Sequence, residues 1–94
     1  EIRAAVGDRP TWLSFDVDAL DPAFAPGTGT PVPGGLTSRE ALELVRGLAG
    51  ARLLGMDLVE VSPPLDHADV TSHLAAHLVF EGLAIAALRP PAAR

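Results

Sequence analysis

The sequence predicts an α/β fold, in which a parallel β-sheet is flanked by helices. Three observations support this: an apolar run at residues 11–17, a helix signal at residues 37–49, and a second apolar run at residues 53–59. Two buried strands joined by a helix form a right-handed parallel crossover. A last helix completes a β-α-β-α piece.

The first strand is apolar on both faces, at Trp12, Leu13, Phe15 and Val17, after a short charged lead at residues 1–10. Strands of this kind are covered by helices on each side, which predicts three layers, α/β/α. The following helix begins with a capping box, in which Thr37 accepts an amide hydrogen and Glu40 reaches back.

The second strand ends before Pro63 and Pro64, which lack the N–H groups that a sheet needs. Asp66 or Asp69 is expected to cap the last helix, which runs to about Leu88 and is apolar around most of its circumference. Residues 90–94 are expected to form a loose tail.

Composition excludes several classes of function. Twelve acidic residues against seven basic ones give a formal charge of −5, which argues against a nucleic-acid partner. Cysteine is absent, so disulfides and thiol chemistry are excluded. No apolar run is expected to reach membrane-spanning length, because His77 and Glu81 interrupt the most apolar segment. The chain is therefore expected to be soluble and cytoplasmic.

Two carboxylates stand where the first strand leaves the sheet. Asp16 and Asp18 are two residues apart, a spacing that places side chains on the same side of a strand. Carboxylates this close repel each other unless a cation lies between them, and hard divalent cations prefer oxygen ligands. The long loop at residues 18–36 is also typical of a functional segment. We interpret this stretch as half of a metal site.

An ordered series of motifs resembles one enzyme family. The series comprises Ser-Phe-Asp-Val-Asp at residues 14–18, Asp-Pro at 21–22, Pro-Gly-Thr-Gly-Thr-Pro at 26–31, Gly-Met-Asp-Leu-Val-Glu-Val at 55–61 and Asp-His-Ala-Asp at 66–69. It is similar to the ureohydrolases, the arginase and agmatinase family, over most of the chain. Because the histidine metal ligands of that family are absent here, we expect the chain, residues 1–94, to be the C-terminal part of a single ureohydrolase domain.

The resemblance implies a function and a site. The family hydrolyses a guanidino group with a hydroxide that bridges two Mn²⁺ ions. By resemblance, Asp16 bridges both metals, Asp18 binds one, Glu60 grips the substrate guanidinium, and Thr30 lines the pocket. It also implies a homo-oligomer with a small-molecule guanidino substrate, and a fragment that is inactive alone.

The substrate expected from the local motif is agmatine. The segment Val61-Ser62-Pro63-Pro64, followed by Leu65 and Asp-His-Ala-Asp, looks more like agmatinases than arginases, which tend to carry Asn-Pro after Glu-Val. This implies release of urea and putrescine, a step of polyamine biosynthesis. Arginase and guanidinobutyrase activities of the same family are the alternatives.

Other readings stay open at this point. A phosphatase of the haloacid dehalogenase type also places Asp-x-Asp after an apolar strand, with the first Asp as nucleophile and Mg²⁺ as metal. A non-catalytic structural or interaction fragment is the non-enzymatic alternative.

Several polar residues have two interpretations each. Asp57 is either an acceptor for a metal-bound imidazole or a structural hydrogen-bond partner. His73, His77 and Glu81 form one stripe of the last helix, and a solvated edge is favoured over a metal site. His67, in the Asp-His-Ala-Asp segment, is given no specific role.

Overall fold

The computed structural model describes residues 1–89, and the tail expected at residues 90–94 lies outside them. The helices are α1 (Ile2–Val6), α2 (Ser38–Arg46) and α3 (Val70–Leu88), and the strands are β1 (Thr11–Asp16) and β2 (Leu53–Val59). Short 3-10 helices, Val17–Ala19 and Pro63–Leu65, follow the two strands. The order β-α-β-α is confirmed. Helix α1 was not predicted, because five residues are too few to show a helical period.

The two strands pair in parallel, as predicted, and their register brings their carboxyl ends together. Trp12 lies opposite Gly55, and Asp16 at the end of β1 lies opposite Val59 at the end of β2. The residues that directly follow β1 and β2 therefore lie at the same edge of the sheet. This is the edge at which α/β sheets bind ligands.

The helices of residues 1–89 cover one face of this sheet. Leu13, Phe15, Met56 and Leu58 pack against a core whose other members come mainly from α2 and α3. The alternate positions of β1, Trp12 and Ser14, are exposed. The described part of the chain thus supplies two layers of the α/β arrangement, and the apolar Trp12 faces away from its core.

Helix α2 begins as predicted and ends earlier. Thr37 accepts the N–H of Glu40, and the Glu40 carboxylate accepts the N–H of Thr37, so both halves of the capping box form. The helix ends at Arg46 rather than near Ala49. Beyond it the N–H of Leu48 bonds to the carbonyl of Val45, the tighter three-residue spacing that closes many helix ends.

Helix α3 corrects one expectation from the sequence. With 19 residues and a mean hydropathy of 1.4 over its most apolar window, it is long and apolar enough to cross a membrane. The interruption by His77 and Glu81 does not prevent this, because one charged residue barely lowers the average. The same test is passed by core helices of soluble proteins, and Leu74, Leu78 and Ile85 of α3 lie in the core against β2 and α2.

Gly55 provides a test of the strand pairing. A Cβ atom at this position would overlap the indole ring of Trp12, which lies across the backbone of β2. We expect Gly55→Ala to lower the free energy of unfolding of the intact protein by about 1–3 kcal/mol, the usual cost of overpacking. Thermal or denaturant unfolding measures this change. Gly29→Ala is the control, because a Cβ there meets no atom within 4 Å. Equal stability of the two variants would contradict the packing described.

Candidate active site

Asp16 and Asp18 are held together by a hydrogen bond from the backbone of Asp18, and not by their positions along a strand. β1 ends at Asp16, and Asp18 lies in the 3-10 helix Val17–Ala19. The prediction that strand alternation places both side chains on one face is therefore wrong, because Asp18 lies outside the strand. Instead, Asp16 caps the 3-10 helix, and its Oδ1 accepts the N–H of Asp18 at 2.9 Å. This bond holds the two half-buried acidic residues next to each other at the sheet edge.

Thr30 reaches this pair from the loop. Its Oγ1 donates to Oδ2 of Asp18 at 2.9 Å across twelve residues of sequence. The sequence placed Thr30 in the pocket lining only through the family resemblance, and the structure adds a direct contact with a predicted metal ligand. The hydroxyl orients the Asp18 carboxylate and occupies one of its two oxygens.

Asp21 closes the base of the same loop. Its carboxylate accepts the N–H groups of Ala23 and Gly34, each at 2.9 Å. The hydrogen bond from Ala23, followed by that from Gly34, lowers the pKa of Asp21 below its ordinary value. A backbone bridge between Leu20 and Leu36 runs beside these bonds. Asp21 therefore has a structural role, because it helps to hold the two ends of the loop together.

Glu60 comes to the same edge from β2. It follows Val59 directly, and Val59 lies opposite Asp16 in the register. Its backbone has a φ of 74°, in the left-handed region that residues other than glycine seldom adopt. Strain of this kind costs about 1–3 kcal/mol and clusters at functional sites. The exposed Glu60 has no ion-pair partner within residues 1–89.

Asp57 serves as a structural acceptor in the described part of the chain. One oxygen accepts the hydroxyl of Ser14 at 2.6 Å, and the other accepts the indole N–H of Trp12 at 2.7 Å. The bond from Ser14, then that from Trp12, lowers the pKa of Asp57. Of the two interpretations left open, this geometry favours the structural one, and it explains why an exposed Trp12 lies flat on β2.

The polar stripe of α3 consists of one ion-paired residue, Glu81, and two exposed histidines. Glu81 accepts Nε and Nη2 of Arg46 at 3.0 and 2.8 Å, which ties α3 to α2 and lowers the pKa of Glu81. His73 and His77 are exposed. His67 is exposed too, and its backbone N–H donates to Asp66. Within residues 1–89 no three His, Cys, Asp or Glu side chains come close enough to hold a metal ion.

Asp16 and Asp18 nevertheless fit part of a manganese site. Both offer oxygen donors, the type that Mn²⁺ prefers. Each has one oxygen that accepts a hydrogen bond from a neutral donor, and neither forms an ion pair with a basic side chain of residues 1–89. Within residues 1–89 no third acidic or histidine side chain joins these two carboxylates, so the half metal site stays a prediction.

Four residues near the site were given no role there by the sequence. Gly27, Asp66 and Thr71 hold the tip of the loop against the start of α3. Asp66 was considered only as a helix cap. The fourth, Thr28, is buried with a hydroxyl that has no hydrogen-bond partner in the part of the chain that the structure describes. No periodic pattern marks such contacts, because they join residues more than thirty positions apart.

Comparison with known proteins agrees with this architecture. The family model described as "Arginase family" matches residues 1–84. An agmatinase from Cronobacter sakazakii is 54% identical over 89 residues, which are 95% of this chain and 29% of that protein. The chain therefore spans less than a third of the length of the curated relatives it matches.

Solved structures give the same result. The crystal structure of a hypothetical agmatinase from Burkholderia thailandensis superposes with a TM-score of 0.86 at 55% identity, covering 89% of this chain and 27% of the other. Proclavaminate amidino hydrolase from Streptomyces clavuligerus gives a TM-score of 0.88 at 52% identity, covering 92% and 29%. These matches leave the haloacid dehalogenase reading without support. From its motifs, its fold and these matches, the chain belongs to the arginase family.

Proposed function

We propose that the whole protein containing this chain hydrolyses agmatine to urea and putrescine with the help of manganese. The observation that carries the proposal is the convergence of Asp16, Asp18, Thr30 and Glu60 at one edge of a parallel sheet. Membership of the arginase family and 54% identity to a protein named agmatinase support the substrate class. The chain would be one part of the domain, inactive in isolation.

Asp16 and Asp18 would hold the metal ions, two per complete site, with the remaining ligands supplied from elsewhere in the protein. Manganese, when bound, lowers the pKa of a coordinated water so that hydroxide is available near neutral pH. The bond from the Asp18 N–H to Asp16 and the bond from Thr30 to Asp18 keep both carboxylates in place before a metal binds. Preorganisation of this kind reduces the rearrangement needed at the moment of reaction.

Glu60 would orient the substrate. A guanidinium group stays protonated, is planar, and presents paired N–H donors that match a carboxylate. Glu60 lies at the sheet edge beside Asp16 and has no ion-pair partner in the described chain, so its charge is available to such a group. The left-handed backbone at Glu60 sets the direction in which its side chain leaves β2.

Assembly and compartment stay predictions. The homo-oligomer is expected from the resemblance, and the large apolar side chains that α3 exposes at Phe80, Leu83 and Leu88 are compatible with a subunit interface. These same side chains would meet other parts of the whole protein. A cytoplasmic enzyme is expected.

The metal proposal is tested by removing each aspartate in the intact protein. We expect Asp16→Ala to abolish activity and to lose at least one Mn²⁺, because a bridging carboxylate has no substitute. Asp18→Ala should lose one metal more selectively. Elemental analysis measures both effects. Asp8→Asn is the matched control, since Asp8 pairs with Arg89 at the other end of the chain. Retention of both metals by Asp16→Ala would refute the di-metal assignment.

The role of Glu60 is tested by Glu60→Gln, which keeps size and removes charge. We expect KM to rise and kcat to fall together, with a loss of about 2–3 kcal/mol in transition-state stabilisation for one charge-assisted pair. Steady-state kinetics of urea release measure both constants. Glu43→Gln, on the exposed side of α2, should leave both within twofold. An unchanged kcat/KM in Glu60→Gln would exclude Glu60 from substrate binding.

The substrate is tested by urea release from agmatine, arginine and guanidinobutyrate under the same conditions with Mn²⁺. We expect the highest kcat/KM with agmatine, because the segment after Glu60 is of the agmatinase type. A clear preference for arginine or guanidinobutyrate would replace the agmatinase assignment and keep the hydrolase. Absence of urea from all three compounds would refute the proposed function.

A further inference from the structure

The tip of the loop is fixed by both backbone polar groups of Gly27. Its N–H donates to Oγ1 of Thr71 at 2.8 Å, and its carbonyl accepts the N–H of Ser62 at 2.7 Å. Thr71 is fully buried in the first turn of α3. One glycine thus connects the loop that follows β1 with the segment that follows β2.

Asp66 holds Thr71 in place for this contact. Its carboxylate accepts the backbone N–H groups of His67, Thr71 and Ser72 at 2.9 to 3.1 Å. It thereby caps α3, whereas Asp69, at the cap position itself, makes no side-chain cap bond. Burial raises the pKa of Asp66, but hydrogen bonds from the side chain and backbone of Thr71 and from the two neighbouring N–H groups outweigh this and bring it to about 2.

Gly27 and Asp66 are in direct contact. A Cβ atom at position 27 would lie 2.7 Å from Cγ of Asp66, so no other residue type fits without displacing the carboxylate. We call Gly27, Ser62, Asp66 and Thr71 the Gly27 latch.

The latch joins the two segments that carry the proposed site residues. Thr30, which bonds to Asp18, follows Gly27 by three residues, and Ser62 follows Glu60 by two. The base of the loop is closed separately by Asp21 and the Leu20–Leu36 bridge. Loss of the latch would therefore free the tip of the loop while the base and the sheet remain.

We propose that Asp66 and Thr71 are positioning residues, which act through Gly27 to set where Thr30 and Asp18 stand relative to Glu60. This inference rests on the proposed function for its catalytic consequence, but its structural part stands independently. Neither residue is required to touch substrate or metal. Their effect is to keep the carboxylate of Asp18, proposed to bind metal, and that of Glu60, proposed to bind substrate, in one fixed arrangement.

The test compares Thr71→Val with Thr71→Ser in the intact protein. Valine keeps the shape of threonine and removes the hydroxyl, which leaves the Gly27 N–H without its acceptor, whereas serine keeps the hydroxyl. We expect Thr71→Val to speed hydrogen exchange at least tenfold at the buried, hydrogen-bonded amides of Gly27 and Thr28. It should also lower kcat/KM for urea release at least tenfold at a temperature where the variant is folded. Thr71→Ser should keep both the exchange rates and kcat/KM within about threefold of the wild type.

A second variant covers the case in which Thr71→Val does not fold. Gly27→Ala displaces Asp66 from the other side and leaves Thr71 intact, and the same faster exchange and lower kcat/KM are expected. Exchange and kcat/KM within twofold of the wild type in a folded variant would overturn the proposal. So would a lower kcat/KM with unchanged exchange, or equal defects in Thr71→Val and Thr71→Ser. If the wild type releases no urea, the proposed function fails, and the exchange rates alone decide whether the latch exists.

Discussion

The parallel register of β1 and β2 is the constraint on which the rest of the structure depends. It places Asp16 opposite Val59 and so brings the ends of two strands, far apart in sequence, to one edge. Antiparallel pairing would send the two ends to opposite edges and separate Asp16 from Glu60. Parallel pairing needs a crossover, and α2 provides it, with its buried Ala41 and Val45 in the core that it shares with α3.

Beyond the strand ends, hydrogen bonds hold the polar side chains of the loop in position. The segment after β1 places Val17, Leu20 and Ala25 in the core, and hydrogen bonds of Asp16, Asp21 and the Gly27 latch fix the polar part of the loop. Polar contacts of this kind fix direction as well as distance. Under the proposed function, a carboxylate that holds a metal or a guanidinium would need both.

The distribution of exposed apolar residues shows what this chain contributes to a larger structure. Trp12 and Leu54 on the open face of the sheet, and Phe80 and Leu83 on α3, are each more than 60% exposed. Isolated domains seldom expose so much apolar surface on two sides. The chain's match to 29% of the length of an agmatinase relative accounts for this, since the neighbours of these side chains would lie in the remaining part. The same reasoning would explain why residues 1–89 bring no third ligand to Asp16 and Asp18.

The sequence alone determined the α/β class, the second strand at Leu53–Val59, the start of α2 at its capping box, and the identity of Asp16, Asp18, Thr30 and Glu60 as the residues to consider. The elements and the Asp16/Asp18 pair follow from local patterns, since hydrophobic runs, capping residues and close spacing are properties of neighbouring positions. Thr30 and Glu60 were identified through the resemblance of the motifs to the ureohydrolases. Only the tertiary structure decided that Asp18 leaves the strand and is held through its own N–H, that Asp57 bonds to Ser14 and Trp12, and that Gly27 is locked onto Thr71. Each of these contacts depends on which groups the folded backbone brings close together. A pattern read along the chain cannot supply that information.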